Sequence, residues 1–348
     1  MAQMARQVLI PAALAAALVC GGAQARDLTV SGFGGAAQDA QRKAFFEPFE
    51  KATGTKLTED TYDGGLAKIK AMIDSNSVTW DVVDIEGSDL ARGCEAGYFE
   101  TIDWSLVGGK SAWLPAATFS DCGIGQFVWA TILAYNADRL HDAPKSWADF
   151  FDTKRFPGKR GLRRGAKFTM EIALIADGVA PDDVYKVLAT PAGVDRAFKK
   201  LDTIKSSIQW WEAGAQPPEW LTAGDVVMTS AYNGRIAAAN QGGKHLGIVW
   251  NGQIYSLDYW TVVKGSPFKD EALKMVTFMS QPDVLKNLPQ YIPYGPPQKQ
   301  VISMIPPALA EQLPTAPAHL VNALSSDNEF WLEHEDDLSE RFNAWVAR

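Results

Sequence analysis

The sequence has little histidine and cysteine and none of the usual signatures of hydrolytic or redox chemistry. Its four histidines, His141, His245, His319 and His334, are far apart in the chain. No H-E-x-x-H, G-x-S-x-G or C-x-x-C pattern occurs, so the standard zinc, serine-nucleophile and dithiol arrangements are missing. Without clustered His, Cys or Asp spacing, no metal and no cofactor is expected. Gly108-Gly109-Lys110-Ser111 superficially resembles a phosphate loop, but the first glycine of that pattern falls on Trp104, which leaves an ordinary surface turn. Basic residues are outnumbered 33 to 41 by acidic ones and are scattered rather than gathered into a stripe, which argues against a nucleic-acid partner. Repeats, low-complexity tracts and long linkers are also absent.

The chain opens with a single arginine, Arg6, an apolar run from Val8 to Cys20 and the small-x-small ending Ala23-Gln24-Ala25. This is the layout of a secretory signal peptide, and the run is shorter than the roughly 20 residues of a membrane span. Cleavage is expected after Ala25, giving a periplasmic protein. Removal of residues 1–25 takes away Cys20 and leaves Cys94 and Cys122. An even pair in an oxidising compartment predicts a disulfide, the alternative being two separate buried thiols. The composition, 47% apolar with 12 tryptophans, is ample for a packed core, and the mature length suits two lobes.

Strands and helices alternate along the chain. Leu28-Thr29-Val30 reads as a buried strand, followed by the glycine-rich turn Ser31-Gly32-Phe33-Gly34-Gly35 and a helix in which Phe45, Phe46 and Phe49 recur at helical spacing before Gly54. A strand at 56–61, a helix at 65–74 and a strand at 80–85 follow, with Ser88-Asp89 as a candidate cap for the next helix. Further on, strands are expected at 127–135, 226–228 and 254–263. Helices are expected at 147–151, 167–176, 182–187, after Asn233-Gly234, at 270–280 and at 330–347. This alternation predicts an α/β architecture with largely parallel sheet. A strand feeding a glycine turn at a helix start can offer free backbone N–H groups to a ligand, or can simply make a tight turn.

Three stretches together carry a family resemblance. They are Phe46-Glu47-Pro48-Phe49-Glu50-Lys51-Ala52-Thr53-Gly54, Trp80-Asp81-Val82-Val83, and Gly224-Asp225-Val226-Val227-Met228 running on to Tyr232-Asn233-Gly234. In order and spacing the chain resembles the spermidine/putrescine-type solute-binding proteins of ABC importers. The resemblance implies a two-lobed, type II periplasmic-binding-protein fold with the ligand cleft between lobes. Lobe 1 would comprise 26–134 and 259–300, and lobe 2 would comprise 135–258 and 301–348. Strand crossovers would fall near Leu133–Asn136, Asp258 and Pro297–Val301, and closure would be a hinge motion.

The resemblance also implies the site. Phe33 and Gly34 lie in the first turn, Glu86 and Ser88 in the loop after the third strand, and Tyr232 at an aromatic wall. Asp258 is the carboxylate at a lobe crossover, and Tyr291 or Tyr294 closes the far end. An ammonium leaving water needs both a counter-charge and a polarisable face. Around Leu162-Arg163-Arg164-Gly165-Ala166-Lys167-Phe168 the sequence departs from the polyamine binders, which carry acidic residues there where this chain has arginines, glycine and phenylalanine. If Arg164 or Arg163 faces the cleft, it repels a distal ammonium and suits a carboxylate; if it faces solvent, a polyamine fits better. The expected role is therefore a monomeric soluble receptor that hands a small amine or zwitterion (putrescine, spermidine or an ω-amino acid such as γ-aminobutyrate) to an ABC permease at the inner membrane. The competing reading is a secreted hydrolase or lyase on a similar scaffold, for which no nucleophile and base are found.

Overall fold

The computed structural model describes residues 26–140 and 142–348; the leader and its cleavage site lie outside the described residues. A sheet of nine strands organises the chain. The strands are β1 (Leu28–Gly32), β2 (Leu57–Thr61), β3 (Val82–Glu86), β4 (Ile124–Asn136), β5 (Arg160–Arg163), β6 (Ile208–Trp211), β7 (Met228–Tyr232), β8 (Leu246–Val262) and β9 (Leu324–Ser325). The order is β2-β1-β3-β8-β4-β7-β5-β6, with β9 beside β8. β1, β2 and β3 are mutually parallel, as are β5, β6 and β7. The long strands β8 and β4 run antiparallel between these two groups and tie them together. Parallel strands need crossover connections, and helices supply them here.

The first helical stretch runs from Gly35 through a π-helical segment, Arg42–Phe46, to Thr53. It buries Phe45, Phe46 and Phe49 and ends at Gly54, whose φ of 74° is the left-handed value a glycine adopts without strain. Trp80, Trp113, Trp147, Trp211, Trp260 and Trp331 are fully buried. Each large apolar side chain removed from water stabilises the fold by roughly 2–3 kcal/mol. Cys94 and Cys122 form a disulfide with Cα atoms 5.7 Å apart, joining the helix Gly87–Glu95 to the turn before β4. At the described N-terminus the Arg26 guanidinium makes two hydrogen bonds, 2.6 and 2.8 Å, to the fully buried Asp81 carboxylate.

Some local expectations change. No strand was expected at Arg160–Arg163, yet these residues form β5. Only Leu162 in it looks like a strand interior, and Arg160 is buried by donating to the carbonyls of Phe150, Phe156 and Gly158. Neither Ser88 nor Asp89 caps the helix Gly87–Glu95, which begins after Glu86. Instead the Ser88 hydroxyl accepts from Lys167 and the Asp89 carboxylate accepts from the Gly65 N–H. Strand β6 and the helix Pro191–Asp202 were not foreseen from the sequence.

Candidate functional site

Ligands in parallel α/β sheets sit beyond the carboxyl ends of strands, and here six such ends meet around one cavity of about 180 Å³. Phe33 follows β1, Tyr62 and Asp63 follow β2, Glu86 ends β3, Arg163 ends β5, Glu212 to Ala215 follow β6, and Tyr232 ends β7. The long strands add Phe127, Trp129 and Asp258, and the segment after Pro293 adds Tyr294.

The aromatic walls brace one another. Phe33 stacks on Tyr62 at 5.2 Å between ring centroids, Tyr294 stacks on Phe127 at 4.7 Å, and Tyr232 meets Trp129 and Trp211 edge-on at 5.0 and 5.3 Å. Asn233 fixes two of these walls. Its side chain accepts from the Ala130 N–H and donates to the Pro293 carbonyl, which ties β7 to β4 and to Tyr294. Burial pushes the Tyr232 phenol up to about 12, so it remains a neutral hydroxyl.

Three carboxylates share one face of the sheet. Glu86 lies directly opposite Asp258 across the β3/β8 pair, and Asp84 projects to the same side as Glu86. Their partners differ. Glu86 is met by Lys167 at 3.0 Å and Arg163 at 3.7 Å; burial pushes its carboxyl up, but these cations win and hold it below its ordinary value. Asp84 is buried with the amides of Gln41, at 2.7 Å, and Gln126, and burial raises it to about 8. Asp258 accepts the Trp129 indole N–H at 2.6 Å and, among the described residues, forms no salt bridge, although Lys167 lies close enough to pull its carboxyl down slightly. Burial, then Asp84 and Glu86, push it well above the usual carboxylate range.

Across the cavity Arg235 stands in the first turn of the helix Asn233–Gln241. Its Nη2 donates to the carbonyls of Gly34 at 2.9 Å and Phe33 at 3.3 Å. Among the described residues it has no carboxylate partner, and its Nε and Nη1 are unpaired. Gly35 makes room for it, since a Cβ at that position would lie 2.1 Å from Nη1.

Of the residues singled out in the sequence, Phe33, Glu86, Tyr232 and Asp258 line this cavity, as do Arg163 and Tyr294, each one of a pair of alternatives. Four do not. Arg164 is exposed and pairs with Glu212 at 3.0 Å, because alternation along β5 turns Arg163 inward and Arg164 outward. Tyr291 is 41% exposed; the bridge between Gly295 and Val128 draws the later tyrosine, Tyr294, inside instead. Ser88 lies behind Glu86 on Lys167. The N–H of Gly34 is taken by the Gln38 side chain at 3.0 Å, so it is not free for a ligand. Trp129, Lys167 and Arg235 were not picked out in the sequence. Arg235 was signalled only by following Tyr232-Asn233-Gly234, and Trp129 was hidden in an apolar strand.

A family model described as bacterial extracellular solute-binding protein matches residues 44–318. The chain belongs to that family. This solute-binding chain is 53% identical over 326 residues to a γ-aminobutyric acid-binding protein of Pseudomonas aeruginosa, covering 94% of this chain and 92% of the relative. It is 25% identical over 279 residues to the spermidine/putrescine-binding periplasmic protein of Escherichia coli, covering 76% of each. A solved GABA receptor superposes with a TM-score of 0.81 at 35% identity, covering 93% of this chain and 98% of that one. The two-lobed binding-protein fold expected from the sequence is thus the fold observed, and the solute-binding role stands with it.

Proposed function

We propose that this chain is the periplasmic receptor of an ABC importer for a small zwitterion of the γ-aminobutyrate class. One observation carries the reading: the same small cavity holds a carboxylate without a cation, Asp258, and a guanidinium without a carboxylate, Arg235. A solute with an ammonium at one end and a carboxylate at the other supplies both missing partners. Phe33, Tyr232, Phe127 and Tyr294 would flank its methylenes, with Trp129 orienting the Asp258 carboxylate. Glu86, already neutralised by Lys167 and Arg163, adds field rather than a free ligand site. A diamine fits less well, because its second ammonium would approach Arg235 and Arg163. The similarity to a γ-aminobutyric acid-binding protein supports the same choice.

In this reading the protein binds without chemical conversion, acts as a monomer, has no nucleic-acid partner and delivers its solute to a membrane permease. Residues 1–25 are removed on export, so that Arg26 is the first residue of the mature protein. The lobes close by a hinge in the two long strands. The reading keeps the lobe changes near residues 134, 258 and 300, and two facts support the first two: pairing of β8 with β3 begins at Asp258, and pairing of β4 with β7 begins at Thr131.

Calorimetry on ligand-stripped protein with γ-aminobutyrate, putrescine and spermidine tests the ligand class. The expected order places γ-aminobutyrate first. Tighter binding of either polyamine would reject the zwitterion.

A further inference from the structure

Beyond Glu86 and Arg163 lies a second, more polar chamber of about 270 Å³, lined among others by Ser88, Asp89, Arg164, Lys167 and Glu335. Asp63, Glu86 and Arg163 line both chambers. Asp63 is an exposed rim residue, so the inner wall between the chambers is the Arg163–Glu86 pair.

We propose that this pair is a partition that sets the length of the solute, which makes Arg163 and Glu86 specificity-determining residues. The inference rests on the zwitterion reading above. Glu86 comes from the end of β3 and Arg163 from the end of β5, on opposite flanks of β8 and β4, so the wall is completed only where the two strand groups approach. It is held rather than floating. Lys167, itself buried, donates to Glu86 and to Ser88, both at 3.0 Å. Phe168, under the Arg163 guanidinium at 5.9 Å, is packed edge-on against Trp129 at 5.5 Å. Phe168 also has a φ of 69°, which a bulky side chain rarely adopts, and this turns Lys167 inward at the head of the helix Thr169–Ala176. Strained backbone of this kind persists where surrounding structure over-determines it, often at ligand clamps.

The wall stands at the ammonium end, since Glu86 is the cross-strand neighbour of Asp258. With the carboxylate on Arg235 and the ammonium on Asp258, additional methylenes would have to pass through the pair. Behind it, the chamber is lined by Asp89, which has no salt bridge among the described residues, and by Glu335, which pairs with Arg92, so an elongated amine would find acidic groups there once the wall is opened.

The test is calorimetry of wild type, Arg163→Ala and Glu86→Gln with γ-aminobutyrate, 5-aminopentanoate, 6-aminohexanoate and 8-aminooctanoate, each variant checked for folding by circular dichroism. Wild type should bind the shortest member best and fall off with length. Arg163→Ala should move the optimum to longer chains and gain roughly tenfold or more for 6-aminohexanoate relative to γ-aminobutyrate, the scale on which a pocket discriminates methylenes. Glu86→Gln, which keeps the volume and removes the tie, should move the optimum in the same direction and decides alone if Arg163→Ala does not fold. An unchanged order of affinities in a folded variant overturns the partition while leaving the zwitterion reading intact. A wild type that binds no member of the series overturns both.

Discussion

The indole N–H of Trp129 points at the carboxylate of Asp258 with 2.6 Å between nitrogen and oxygen, and both residues are buried. The bond joins β4 to β8 at the point where β8 changes partner, so the carboxylate that lacks a cation is aimed by the strand that spans the sheet.

Asp258→Asn should therefore weaken an ammonium-bearing solute by about 2–5 kcal/mol, the usual cost of removing one member of a buried charge pair. Trp129→Phe, which keeps an aromatic wall but removes the donor, should cost about 1.5–3 kcal/mol. Calorimetry with γ-aminobutyrate measures both. Undiminished binding by Asp258→Asn would remove the basis of the amine reading.

Arg235→Met separates the two ends of the ligand. Affinity for γ-aminobutyrate should fall by about 2–5 kcal/mol, again because one partner of a desolvated pair is lost. Putrescine should hold or gain, since a repelling cation has gone. Equal losses for both solutes would argue for a structural role.

Asp84 gives a pH dependence with a defined sign. Burial raises its carboxyl to about 8, Gln41 opposing the rise and Glu86 adding to it. The folded protein thus keeps a proton that the unfolded chain, with an ordinary value near 4, has already lost. Stability of the ligand-free protein should fall as pH rises from about 4 to about 8 and level off above that. Asp258 is raised too and acts in the same sense. Asp84→Asn should flatten the fall and exceed wild type in stability near pH 8, as read from urea titrations across the range. A variant whose curve parallels wild type would place the dependence elsewhere.

Opening the Cys94–Cys122 bond, whose sequence separation is 28, should cost roughly 3–4 kcal/mol on the chain-entropy account. Thermal melts with and without reductant report the loss. Intact mass of periplasmic protein should correspond to a chain starting at Arg26 with no alkylatable thiol in the unreduced state. A free thiol, or a different first residue, would correct one half of that expectation.

Much of the fold was legible in the chain because its signals are local. Apolar runs mark β1, β3 and β4, a glycine marks the end of the first helix at Gly54, and the cysteine pair predicts its own bond. Strand β5 was not legible, since a strand carrying an arginine at each end of Gly161-Leu162, one buried and one half-buried, has no hydrophobic pattern; Arg160 is tolerated only because backbone carbonyls receive it. At the site the residue types were visible in Phe33, Glu86, Tyr232 and Asp258. Which arginines line the cavity was not, because that depends on the parity of β5 and on how closely Gly35 lets Arg235 approach. Charge balance was equally a tertiary matter: Glu86 and Asp258 face each other across two strands, yet of the two only Glu86 is within ion-pair distance of Lys167 and Arg163. From the residues alone came the two-lobed α/β solute-binding fold and the expectation of an exported chain with aromatic and acidic residues at its cleft. The tertiary structure decided which charges remain unpaired, since pairing depends on distances between residues far apart in the chain.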